Sequence, residues 1–86
     1  MLRIRRKGNG EVVFSLIGRI DKEHIAELEL LIGAEGKDRR IILDLEELTL
    51  TGQEGMAFLA RSEAAGIELV NGDPYVREWI ARERNG

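Results

Sequence analysis

The sequence predicts a single small α/β domain with a mixed β-sheet and the element order ββαβαβα. Three observations carry that prediction. The chain has 86 residues, and dividing it would leave two halves below the ~50 residues at which a core stands without staples. Segments with strand character alternate with segments of helical period, an alternation that needs parallel or mixed strands joined by crossover helices. All ten glycines fall at expected element edges, so the chain reads as short elements joined by tight turns.

An N-terminal hairpin opens the domain. Leu2 to Lys7 alternate apolar and basic, Gly8-Asn9-Gly10 offers positive-φ turn chemistry, and Glu11 to Ile17 brings Val12, Val13, Phe14, Leu16 and Ile17. The second strand is therefore the more buried one. Asp21 then stands as N-cap to a helix that turns Ile25, Leu28 and Ile32 inward, with Leu31 beside them and Glu23, Glu27 and Glu29 on the remaining surface. Gly33 and Gly36 end this helix. Ile41 to Leu45 is apolar on both faces apart from Asp44, which predicts a central strand with helical cover on both sides. Asp44 needs hydrogen-bond partners there, most simply backbone N–H groups of the following turn.

The turn Thr49 to Gly52 leads into a helix from about Gln53 to Ala65. On a helical wheel Gly55, Phe58, Leu59, Ser62 and Ala65 share one arc, while Met56, Ala57, Ala60, Glu63 and Ala64 share the other. Phe58 and Leu59 are assigned to the core. Gly66 closes the helix, Ile67 to Val70 form a short strand, and Asn71-Gly72 turns the chain into Asp73-Pro74, an N-cap and a first helical residue. The last helix is expected to bury Val76, Trp79 and Ile80.

Composition removes several classes of function. There is no cysteine and one histidine, which excludes a disulfide framework, a thiol nucleophile and a zinc site of the usual ligands. His24 has Asp21 near it in sequence but neither a nucleophile nor a second ligand, and Glu46 and Glu47 are adjacent carboxylates at a strand end that point apart into water. No phosphate-binding glycine loop is present. The expectation is a protein with no catalytic residues, no metal and no cofactor. No apolar run approaches the ~20 residues of a membrane helix, and the first ten residues lack the apolar segment of a signal peptide, so a cytoplasmic protein without membrane insertion is expected. The net charge is −3, yet five Lys/Arg face one acidic residue in the first twenty positions. An acidic domain with one aromatic on its hairpin is a poor nucleic-acid binder, and Arg3 to Lys7 read as the solubilising charge of an exposed strand.

Residues 41 to 60, IILDLEELTLTGQEGMAFLA, resemble the STAS family, the fold of bacterial anti-sigma factor antagonists. Leu43-Asp44-Leu45 resembles its strand, Gly18-Arg19-Ile20-Asp21 the Gly-x-Leu/Ile-Asp that opens its first helix, and Gly66 to Asn71 the glycine and strand after its second helix. The resemblance covers nearly the whole chain. It implies a STAS-like domain that binds another protein without catalysis, through the turn and helix start at Thr51, Gly52, Gln53, Glu54, Met56, Ala57 and Ala60. The partner implied is an anti-sigma factor of kinase type, in transcription regulation; the alternatives are a transporter ATPase of a lipid-transport complex, or a nucleotide or small ligand at the same turn.

The departures fall at the family's switch. Aligned without gaps, Gly52 stands where the family has Asp, Gln53 and Glu54 where it has two serines, and Gly55 on its glycine. The usual phosphoacceptor position is thus Glu54, which cannot be phosphorylated as serine is, and Thr51 is the runner-up hydroxyl. Glu54 is read either as a fixed stand-in for a phosphorylated state, with one charge where phosphoserine has about two, or as a first-turn carboxylate favoured by the helix terminus. Met56, Ala57, Ala60 and Ala64 are expected to form a smooth contact strip. The alternative is that the alanines merely favour helix and that Met56 is core.

Overall fold

The computed structural model describes residues 1–35, 38–49 and 52–85. The predicted order is the observed one: β1 (Leu2–Asn9), β2 (Glu11–Gly18), α1 (Lys22–Gly33), β3 (Arg40–Asp44), α2 (Gln53–Ala64), β4 (Glu68–Val70) and α3 (Pro74–Asn85). The four strands lie side by side in chain order. β1 and β2 are antiparallel, whereas β2, β3 and β4 are mutually parallel. β3 is thereby an interior strand, as its apolar run predicts.

The hairpin is tighter than expected. Gly8 pairs with Val12 inside the ladder, and among the turn residues only Gly10 takes positive φ, at 90°. Asp21 caps α1, but through its backbone: its N–H donates to His24 Nδ1 at 3.1 Å, and its carbonyl accepts from the His24 N–H at 2.9 Å. His24 is half-buried and closes this cap. The Asp73-Pro74 start is realised, since the Tyr75 N–H donates to Asp73 Oδ1 at 2.8 Å and satisfies one of the helix's free donors. At the end of α2, Gly66 holds φ of 97°, a conformation open to glycine and strained for other residues.

Both crossovers step in the same direction across the sheet. Right-handed connections taken twice in one direction put α1 and α2 on the same face, and α3 packs against α2 there. The double-sided cover expected for β3 is therefore not what forms. The core lies between one sheet face and the helices. It contains Val12, Phe14 and Leu16 of β2, Leu43 and Leu45 around β3, Leu69 of β4, and Leu28, Met56, Leu59, Val76 and Ile80 from the helices. Ile42 points the other way and is half-buried. Val13, its partner on β2, and Val70, one row along on β4, are half-buried too, and none of the three belongs to the apolar residues packed against that core.

α2 sits between α1 and α3, and this changes its buried surface. Gly55, Met56, Phe58, Leu59, Ala60 and Ser62 are all buried, an arc of roughly 200° on a wheel of 100° per residue. The sequence wheel split this arc in two. Ser62 is accommodated because its hydroxyl donates to the Phe58 carbonyl at 2.9 Å. α1 is the more lightly packed helix: Leu28 is fully buried, Ile25 and Ile32 are half-buried, and Leu30 and Leu31 are exposed. In α3, Val76 and Ile80 are buried as expected. Trp79 is only half-buried, against the expectation: it packs against the rim of the core and meets exposed Tyr75 edge-on at 6.0 Å between centroids.

Candidate functional site

The candidate surface is built where the carboxyl end of β3 feeds α2. Asp44, the one polar residue of the β3 run, organises this end: its Oδ1 accepts the Glu46 N–H at 3.0 Å and the Asn71 side-chain amide at 3.1 Å. The first bond is the turn contact expected from the sequence. The second ties the end of β3 to the turn after β4, where Asn71 holds φ of 58°, a conformation asparagine tolerates better than most residues. Gly18 anchors the other side. Its N–H donates to the Glu47 carbonyl at 3.1 Å, and its carbonyl accepts the Thr49 N–H at 2.7 Å. The Thr49 hydroxyl donates to the same carbonyl at 2.7 Å, so this hydroxyl is committed to the turn.

Gly52 follows as the extended N-cap of α2, and Gln53 and Glu54 stand exposed in its first turn. Glu54 is placed where the positive end of the helix dipole favours a carboxylate. Thr51, the runner-up phosphoacceptor, lies outside the described residues. Met56 is fully buried, at 0% exposure, and Ala60 is buried at 6%. Both were expected on a contact strip and are corrected here to core positions: a helix flanked by two others has no free arc at 56 and 60. Ala57 remains half-exposed.

The structure joins Glu54 and Ala57 to residues of α1 that the sequence did not single out. A shallow groove between α1 and α2 is floored by half-buried Ile25 and Ala57 with exposed Ala26 beside them, and exposed Lys22, Glu54 and Arg61 stand on its rim. Arg61 also faces Glu29 across the groove at 3.7 Å. The helical spacing of α1 marked Ile25 as inward-facing. It gave no sign of which neighbour would lie beside it, since that depends on both crossovers sharing a face.

Two further clusters were brought together by folding. Donor atoms of Asp21, Glu23 and His24 lie within 4.8 Å of one another, so Glu23 joins the expected Asp21 beside His24 as the second carboxylate that the sequence reading did not find. Asp21 is already paired with the Arg19 guanidinium at 3.1 Å, and His24 Nδ1 accepts the Asp21 N–H. The cluster is a cap with its charge met by arginine. On the sheet face opposite the helices, Arg5, Ser15, Ile17, Asp44, Glu46 and Glu47 surround a second depression.

Elsewhere two arginines tie elements together through ion pairs. Arg6 donates through Nε and a terminal nitrogen to both carboxylate oxygens of Glu35, each at 2.9 Å, fastening β1 to the end of α1. That bidentate bond holds the Glu35 carboxyl below its ordinary value. Arg40 bonds Glu68 and lies 3.5 Å from Glu11, linking the starts of the parallel strands, and its guanidinium is held above its ordinary value chiefly by the Glu68 bond. Among the described residues no helix is long and apolar enough to cross a membrane. Compared with protein-family models and with curated proteins, the chain matches none.

Proposed function

We propose that this chain is a non-catalytic protein-interaction domain of the STAS type, which engages its partner through the first turn of α2 and the α1–α2 groove beside it. One observation carries the reading: Gln53 and Glu54 project from the helix start next to a groove with an apolar floor and a charged rim. Apolar centre and polar rim are the ordinary anatomy of a protein contact. The contact residues in this reading are Gly52, Gln53, Glu54 and Ala57 from the original set, with Ile25 and Ala26 added. Met56 and Ala60 act beneath them by fixing the helix. The partner class is a kinase-type anti-sigma factor, and the domain acts on it in transcription control without phosphorylation at position 54.

Binding of the anti-sigma factors encoded in the same cell tests this, with Ala57→Arg and Glu54→Lys as surface variants whose melting curves are checked in parallel. Loss of capture by both folded variants is expected. Unchanged capture by both removes the surface from consideration, and capture of a transporter ATPase in place of an anti-sigma factor would reassign the partner. Glu54→Ser supplies the family's hydroxyl; if Glu54 serves as a permanent charge, this variant gains phosphorylation by a partner kinase and changes affinity, with stability altered by under about 1 kcal/mol.

A further inference from the structure

The sheet face away from the helices has no cover among the described elements, and its side chains form an ordered pattern. Strand register places them in rows. One row reads Lys7, Val13, Ile42, Glu68 from β1 to β4; the next reads Arg5, Ser15, Asp44, Val70. A third begins with Arg3 beside Ile17, and the row at the far end pairs Glu11 with Arg40. The central strands thus carry the aliphatic pair Val13 and Ile42 next to Ser15 and Asp44, the β1 edge is basic, and Asp44 and Glu68 put carboxylates on the β3–β4 side. Val13, Ile17, Ile42 and Val70 are half-buried, yet none is packed against the core. Arg3, Arg5 and Lys7 are exposed and form no ion pair among the described residues.

This pattern is self-complementary in one orientation. A two-fold axis lying in the plane of the face and parallel to the strands sets β1 over β4 of the other copy and β2 over β3, while keeping each row at its own height. Lys7 then faces the Glu68 position, whose carboxylate also bonds Arg40 of its own chain, Val13 faces Ile42, Ser15 faces Asp44, Arg5 faces Val70, and Glu11 faces Arg40. An axis perpendicular to the strands would instead set the basic β1 over itself, which like charges disfavour. Sheets packed face to face lie ~10 Å apart and cross at about 30°. That rotation displaces the edge strands by roughly one residue's rise, a shift that lysine and arginine stems can span.

We propose that two copies of this chain associate through their open sheet faces as an aligned β-sandwich, with Val13 and Ile42 at its centre, Ile17 and Val70 extending the apolar contact toward one end, and Lys7 against Glu68 at each edge. The face is four short strands wide, so it buries less than the ~1,600 Å² of a standard interface, and the dimer is a weak one, sensitive to salt through its edge pairs. The α1–α2 groove lies on the opposite side of the sheet and stays open in both copies.

Sedimentation equilibrium of the full chain from about 5 µM to 1 mM at low and high salt is the experiment, with melting curves for every variant. The wild type is expected to change from monomer to dimer within that range, at higher concentration in high salt. Ile42→Lys is expected to stay monomeric. Lys7→Glu and Glu68→Lys are each expected to raise the dissociation constant at least tenfold, and the double variant to recover most of that loss. Lys7 is exposed on an edge strand, so the charge-swap arm remains informative if Ile42→Lys fails to fold. A monomer at 1 mM overturns the proposal, as does a dimer indifferent to all these changes. So does a monomer that binds an anionic polymer through Arg3, Arg5 and Lys7.

Discussion

Gly18→Ala is the most demanding single test of this fold, because two independent penalties meet at one atom. Gly18 holds φ of 103°, far outside the regions that residues with a Cβ populate, and forcing alanine there costs about 1–3 kcal/mol. A Cβ on Gly18 would also lie 2.5 Å from the Met1 carbonyl oxygen, closer than real contacts allow. Either that carbonyl moves and releases the Arg19 N–H it accepts at 3.1 Å, or the Gly18 peptide rotates and loses Glu47 and Thr49. One lost hydrogen bond adds about 1 kcal/mol. The total is about 2–4 kcal/mol, and since each kcal/mol shifts a domain of this size by about 4–8 °C, the melting temperature should fall by roughly 8–32 °C. Gly33→Ala is the control: a Cβ there meets nothing within 4 Å, the residue is helical, and the change should be neutral or raise stability by up to about 1 kcal/mol. Differential scanning calorimetry of both variants decides the matter. A fall of less than about 3 °C for Gly18→Ala, or an equal fall for the two, would refute the reasoning.

Three other outcomes follow from the packing and the charges. Met56→Asp should abolish cooperative urea unfolding or cost more than about 3 kcal/mol, because it strips a fully buried side chain and buries a carboxylate in its place; a folded, stable variant would show that Met56 is not core. Trp79→Ala should cost about 1.5–3 kcal/mol, below the range for a fully buried tryptophan, and the emission of this single tryptophan should report the docking of α3. Glu35 gives an acid-limb prediction: its carboxyl is depressed by the Arg6 bond, so its contribution is present above the unfolded value of about 4.3 and is lost as pH falls through the lower folded value. Urea titrations should therefore find the stability of Glu35→Gln less steeply dependent on pH below about 4.3 than that of the wild type, and parallel acid limbs would remove the pair as a contributor.

The local signals in the sequence were the readable ones. Asp73-Pro74, Gly66, Asn71 and the greater burial of β2 are each specified within a few residues, so each is found where it was expected. What could not be read were properties set by neighbours distant in the chain. Ile42 resembles any residue of a doubly covered strand, and only the shared direction of the two crossovers leaves it on an open face. Met56 and Ala60 lie on the wheel arc opposite Gly55, and only the placement of α2 between α1 and α3 buries both arcs. The same fact hid the candidate groove, whose floor combines Ile25 with a residue more than thirty positions later, Ala57.

The match between strand order in space and strand order along the chain bears on how the molecule assembles. Each new strand joins the free edge left by its predecessor, so none has to be inserted between two already paired. The hairpin of β1 and β2 closes locally, β3 then adds after α1, and β4 adds after α2. A chain leaving the ribosome from its amino end can therefore build the sheet in the order of synthesis, with an incomplete edge exposed at each stage. Mutations in the hairpin turn at Gly10 should accordingly slow refolding, whereas Leu69→Ala in the last strand should mainly hasten unfolding.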